Sequence, residues 1–240
     1  HYGFDLISPD QNFSAGKMES YALDTLQSLF ATYPVIVAVG GTGLWMRAIL
    51  YGLDEMPEIS ENIRTSLQQS WDLGLQSDLW NELQEKDPET WEKIDKQNPR
   101  RVIRALEVIR STGKPFSSFQ KQTPANRFFS AEIFAIHWER EELYQRINQR
   151  VLDMFQQGLT QEVHELLKQF PETAPGFQTV GYQEWIQGKK AGFSETQICQ
   201  LIQQHSRNYA KRQLTWFRKE PGIRWILPEE TEQFLQSEIM

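Results

Sequence analysis

The sequence predicts an α/β protein whose core is interrupted by an all-helical insert, and two observations carry that expectation. A continuous apolar, β-branched run, Pro34-Val-Ile-Val-Ala-Val39, reads as a parallel strand buried on both faces. It ends in Gly40-Gly41-Thr42-Gly43 before a helical stretch, which makes half of an α/β unit. From Pro57 onward helical patterns follow one another, punctuated by Asp87-Pro88, Asn98-Pro99 and Thr112-Gly113, with no strand pattern between them.

In chain order, Ser14 is placed as the N-cap of an amphipathic helix that runs to about Phe30, ahead of the 34–39 strand. The insert's helices fall near residues 60–73, 77–85, 88–94 and 99–111. A second strand over 131–138 follows, then helices near 139–157, 160–170 and 194–219, and a short strand at 223–227. The resulting division is a core of residues 1–56 and 123–240 around an insert of residues 57–122. Sites in open parallel sheets lie at the carboxyl ends of strands, so the turn after Val39 is a candidate on geometry alone.

With 240 residues, 39% of them hydrophobic, the chain can bury one large domain or a core with a smaller insert. Its apolar stretches are too short or too interrupted to cross a bilayer, and no basic-then-apolar signal opens it, so the expected location is cytoplasmic. A single cysteine, Cys199, excludes an internal disulfide and a Cys-built metal cage, and the four histidines (His1, His137, His164, His205) have no ligand spacing. A net charge of -7 argues against a nucleic-acid partner until its distribution is read. Five basic residues (Arg100, Arg101, Arg104, Arg110, Lys114) meet one acid between 100 and 114, and five more meet none between 207 and 219. Basic faces on an acidic body can steer a polyanion to one surface.

Four groups of residues could carry chemistry. Gly40-Gly41-Thr42 is either a strand-to-helix turn with a capping Thr, or a place where a ligand approaches the backbone with the Thr42 hydroxyl offered to it. Arg146 and Arg150 are four apart on a helix and leave one face. They are either a solvated face paired with Glu139, Glu141 and Glu142 or, as bidentate donors that are always charged, a seat for a pyrophosphate. Arg100, Arg101 and Arg104 open a helix after Pro99, where backbone N–H groups add attraction for phosphate. The stretch 206–218 puts Arg207, Lys211 and Arg218 near one side of a helix and Ala210, Leu214 and Phe217 on its apolar stripe. With Tyr209 and Trp216 interleaved it suits RNA, although an ordinary amphipathic surface helix stays open.

Taken in order, these pieces resemble the tRNA dimethylallyltransferase (tRNA isopentenyltransferase) family along essentially the whole chain. The resemblance is carried by Phe4-Asp5-Leu6-Ile7 with Pro9 and Phe13-Ser14-Ala15, and by Val39-Gly-Gly-Thr-Gly-Leu44. Arg101-Val-Ile-Arg-Ala-Leu-Glu-Val108 with Thr112-Gly113, Arg146 to Arg150 with Gly158-Leu159, and Val180-Gly181-Tyr182 extend it, and Tyr209-Ala-Lys-Arg-Gln213 with Thr215-Trp216 completes it. It implies a P-loop-kinase-like parallel sheet core with a mostly helical insertion domain that embraces the anticodon stem-loop of tRNA.

The implied reaction is attack by the exocyclic amine of the adenine 3′ of the anticodon on dimethylallyl diphosphate, with the base flipped from its stack. Mg2+ is the implied cofactor and a monomer the implied state. The resemblance gives Thr42 a catalytic hydrogen bond near the adenine, Gly40 and Gly41 a place on the substrate channel, and Arg146 and Arg150 the diphosphate. It gives tRNA contacts to Arg64, Arg100, Arg101, Arg104, Gln178, Val180, Gly181, Tyr182, Gln183, Lys211, Arg212, Gln213, Thr215, Trp216 and Arg218.

Two departures from the family pattern are Asn98 without the usual following Asp and Asn208 in place of a usual Gln. The family's phosphate-binding loop and catalytic aspartate are expected ahead of His1, since no GxxxxGK[ST] sequence occurs in the chain, and without them no turnover is expected. Two rival readings are a catalytically inert tRNA-binding protein and an adenylate prenyltransferase acting on a free nucleotide. The second has no use for the helical insert.

Overall fold

A computed structural model describes residues 1–120, 123–232 and 236 and divides into two units: His1–Tyr51 with the chain from Arg127 onward, and Gly52–Asn126. In the first unit, α1 (Ala15–Phe30) starts where Ser14 accepts the Lys17 N–H at 3.2 Å. It packs against α2 (Gly43–Tyr51), whose Ala48 is fully buried. Arg127 ties the two helices together, donating to the Glu19 carboxylate at 2.5 Å and to the Ala48 carbonyl at 2.6 Å. Gly52, at φ 83°, leaves the helix at Tyr51 and opens the second unit, ahead of the Pro57 at which the composition changes.

The apolar run 34–39 is not a strand. Val35, Val37 and Val39 are exposed, Val39 to 94%, and the run has no partner strand among the described residues. Branching at Cβ favours an extended backbone, but a ladder of hydrogen bonds to a neighbour is what makes an extended segment a strand.

The second unit is all helix: α3 (Glu61–Asp72), α4 (Gln76–Lys86), α5 (Pro88–Lys93) and α6 (Pro99–Thr112), closed around Leu67, Leu83, Val102 and Leu106. The amphipathic pattern of α6 explains its central place, since seven of its residues are buried. Pro99 fills its first position, Asn98 caps it by accepting the Arg101 N–H at 3.3 Å, and Gly113, at φ 70°, ends it. The family's missing Asp therefore leaves this helix start capped. Asp87, 1% exposed, caps α5 and accepts from the N–H and hydroxyl of both Thr90 and Ser117, which binds α5 to the turn at Phe116–Phe119.

The first unit resumes with β1 (Ile133–Ile136), shorter than the 131–138 expected. It pairs in parallel with β2 (Ile223–Ile226), Ile133 opposite Ile223. Between them lie α7 (Arg140–Gln156), α8 (Leu159–Gln169), α9 (Tyr182–Lys190) and α10 (Glu195–Phe217). Val151, Val163, Phe177, Trp185, Ile198 and Ile202 form their core. The sequence reading places no helix at α9. There Gly188 lies where a Cβ would sit 2.6 Å from Ile198 Cγ1, so a residue that reads as a helix breaker is what lets α9 and α10 touch. No described helix is long and apolar enough to cross a membrane.

Candidate functional site

The glycine turn is shaped by α10. Gln213 Nε2 donates to the Gly41 carbonyl at 2.7 Å, and a Cβ on Gly41 would fall 2.2 Å from that nitrogen. A Cβ on Gly43 would fall 2.3–2.6 Å from the Trp216 ring. Gly43 is therefore required by close approach of a bulky ring, a Cβ on Gly41 would displace the flexible end of Gln213, and Gly40 has open space around it. Thr42 starts α2 through its carbonyl, which accepts from Trp45 and Met46, while its exposed side chain has no protein partner among the described residues.

Beyond the turn, α10 and the residues just after it carry a shallow, open groove lined by Asn208, Lys211, Arg212, Thr215, Trp216 and Lys219. Trp216 belongs to both places, covering Gly43 and lining the groove. Arg212 lies 5.6 Å over the Tyr209 ring, and Arg218 is exposed. Arg207 is drawn away to α7, donating to Asn148 Oδ1 at 2.5 Å, and with Arg140 it flanks the ring of Tyr144 at 6.0 and 5.3 Å. The sequence reading names neither Arg140 nor Tyr144. Their meeting with Arg207 depends on how α7 packs on α10, which no local pattern encodes.

Arg146 and Arg150 are both exposed on α7, and neither pairs with Glu139, Glu141 or Glu142 among the described residues. Arg146 rests on the Trp138 ring at 4.1 Å, a contact that fixes a guanidinium while leaving its charge unneutralised.

Residues 178–183 lead into α9. Gly181, at φ 111°, donates its N–H to Glu184 Oε2 at 2.6 Å, and the other oxygen of this buried carboxylate meets His205 Nδ1 at 2.6 Å. Gln178 and Val180 are exposed beside it. Tyr182 donates its hydroxyl to Glu162, and Gln183 is half-buried. Burial first, then the Glu162 bond and charge, push the Tyr182 hydroxyl up to about 12, so it remains a neutral donor near neutral pH.

In the second unit the buried carboxylate of Glu107 receives Arg64 Nε at 2.9 Å and an Arg104 terminal nitrogen at 3.1 Å. The bond to Glu107 raises the Arg64 pKa further, against its desolvation. Arg100 and Arg101 are exposed with no side-chain partner among the described residues, whereas Arg110 is taken up by Glu82 at 2.6 Å. Among the described residues no group of three His, Cys, Asp or Glu could hold a metal ion.

What these parts share is exposed basic side chains, with Arg146 steadied on a ring and Arg100, Arg101 and Arg218 open to solvent. Such a distribution fits a transferase that works on nucleic acid. A sequence model described as IPP transferase matches residues 1–220, and the chain belongs to that family.

Its relatives include the tRNA dimethylallyltransferase of Cytophaga hutchinsonii, 38% identical over 96% of this chain and 75% of the relative. That of Christiangramia forsetii is 40% identical over 97% and 76%. The crystal structure of the Staphylococcus epidermidis tRNA delta(2)-isopentenylpyrophosphate transferase matches 98% of this chain and 78% of its own, with 31% identity and a TM-score of 0.63. A eukaryotic dimethylallyltransferase described as acting on tRNA shares the fold at a TM-score of 0.77, with 19% identity over 96% of this chain and 62% of its own.

Proposed function

We propose that the protein transfers a dimethylallyl group from dimethylallyl diphosphate to N6 of the adenosine immediately 3′ of the anticodon in tRNA. The observation that carries this is the family match over residues 1–220, on a chain whose relatives are named tRNA dimethylallyltransferase. In the reaction the N6 lone pair attacks the allylic carbon, the bond from that carbon to the diphosphate oxygen breaks, diphosphate leaves with the electron pair, and N6 loses a proton.

Arg150, with Arg146 steadied on Trp138, stabilises the charge that grows on the leaving diphosphate, and Thr42 offers its unpartnered hydroxyl to the adenine. The α10 groove, residues 178–183 and the face of Arg64, Arg100, Arg101 and Arg104 take the tRNA, phosphates on the cations and unstacked bases on the aromatics. This reading places the α/β unit in a P-loop-kinase-like core and the helices of residues 57–122 in a tRNA-binding insertion, in a cytoplasmic monomer. Magnesium accompanies the diphosphate as its counter-ion; the described residues offer it no cluster of ligands, and the steps above run through the arginines.

The test is transfer of label from dimethylallyl diphosphate to an anticodon stem-loop with adenine 3′ of the anticodon, by the full-length protein and its Thr42→Ala and Arg150→Ala variants. Transfer that falls in both variants by about two orders of magnitude or more supports the reading. RNA binding without transfer in the folded full-length protein would favour an inert binder.

A further inference from the structure

The residues that grip the Thr42 turn come from far away in the chain. Gln213 reaches back 172 positions to donate to the Gly41 carbonyl at 2.7 Å, and Trp216, one helical turn further along α10, covers Gly43. Between these two contacts sits Thr42. The segment leading into the turn, residues 34–39, is held by no ladder among the described residues, so α10 supplies what a neighbouring strand would otherwise supply.

Gln213 is half-buried, and its amide donor is used on the turn. Trp216 presents its ring to Gly43 and to the basic groove of Lys211, Arg212 and Lys219 at once.

We infer that Gln213 and Trp216 are positioning residues for the transfer, holding the backbone of Gly41 and Gly43 so that Thr42 is presented by the same helix that carries the basic groove. The inference rests on the role proposed for Thr42. It makes Gln213 a residue that acts through the turn and not through the RNA. Both glycines are accounted for: a methyl on either would push the clamp off the turn. Displacing a reacting group by about 1 Å can cost about a hundredfold in rate, so loss of one well-placed donor should be visible in turnover.

The experiment measures, in the full-length protein, steady-state transfer to the anticodon stem-loop and, separately, its binding affinity. The variants are Gln213→Leu and the isosteric Gln213→Glu, which cannot donate to the Gly41 carbonyl, each alone and combined with Thr42→Ala. Melting curves establish that each is folded. The expected result is a fall in kcat of about ten- to a hundredfold with RNA affinity unchanged, and little further loss when Thr42 is already alanine.

Weaker RNA binding with kcat intact would make Gln213 an RNA contact and overturn the inference. So would losses that multiply independently of Thr42→Ala. If Thr42→Ala alone leaves kcat unchanged, the Thr42 reading fails and takes this inference with it, an outcome distinct from the other two.

Discussion

In the second unit Arg64 and Arg104 converge on one buried carboxylate, Glu107. In the first, Arg150 meets no acid among the described residues and Arg146 lies on the Trp138 ring. The two arrangements suit different tasks. The buried carboxylate fixes the direction of two guanidinium groups and, with Glu61 3.6 Å from Arg64, offsets their charge, which on the proposed reading makes a shaped surface for a phosphate backbone that is already fully charged. An arginine held by stacking, or by nothing, keeps its whole charge for an anion that forms during the reaction. One unit holds its arginines by acids that offset their charge, and the other leaves that charge free.

The sharpest way to break this comparison is to remove one arginine from each side. Arg150→Ala is expected to lower kcat by about 10²–10³ with RNA affinity nearly unchanged, whereas Arg64→Ala weakens stem-loop binding and spares kcat. Kinetics paired with an RNA titration would show it, and a loss of the same parameter in both variants would erase the distinction.

A smaller effect concerns what keeps the second unit rigid enough to present its arginines. Asp87→Ala removes four hydrogen bonds at a buried site and should cost about 2 kcal/mol of that unit's stability, read from thermal or denaturant unfolding. Burial alone would raise the Asp87 carboxyl, but the bonds from Thr90 and Ser117 outweigh it and hold the group below its ordinary value. A depressed folded pKa means the contribution is complete above the unfolded value, about 3.9. It is then lost as pH falls through the lower folded one. Acid unfolding of the parent, compared with Asp87→Asn, checks this sign.

The smallest expected change is in Arg101→Ala. This side chain is exposed and unpartnered among the described residues, so its loss should weaken RNA binding uniformly across sequences and flatten the salt dependence by about one phosphate's worth of slope.

Helices with a strong amphipathic pattern and a punctuated start were legible in the sequence. Ser14 before α1 and Asn98-Pro99 before α6 act as caps, and the core of α6 follows its apolar stripe. Helix α9 was not legible, because Gly188 speaks against a helix locally and is explained only by Ile198 on α10. The run 34–39 misled for the opposite reason: its composition favours a strand, but pairing is a property of the neighbours.

At the site, residue types were readable and partnerships were not. Two arginines at helical spacing point to an anion, yet nothing in that spacing puts Trp138 under Arg146. Approach of a ligand to the backbone was one of two readings open for Gly40-Gly41-Thr42, whereas the neighbours at Gly41 and Gly43 are Gln213 and Trp216 of the protein's own α10, which no local pattern announces.

The exposed valines of residues 34–39 have a practical consequence. An uncharged, β-branched segment with no ladder partner among the described residues is the kind of edge on which copies of a chain stack. Concentrated solutions of this polypeptide should cloud with time through that segment, and a lysine in place of Val37 should keep them clear, as light scattering would record.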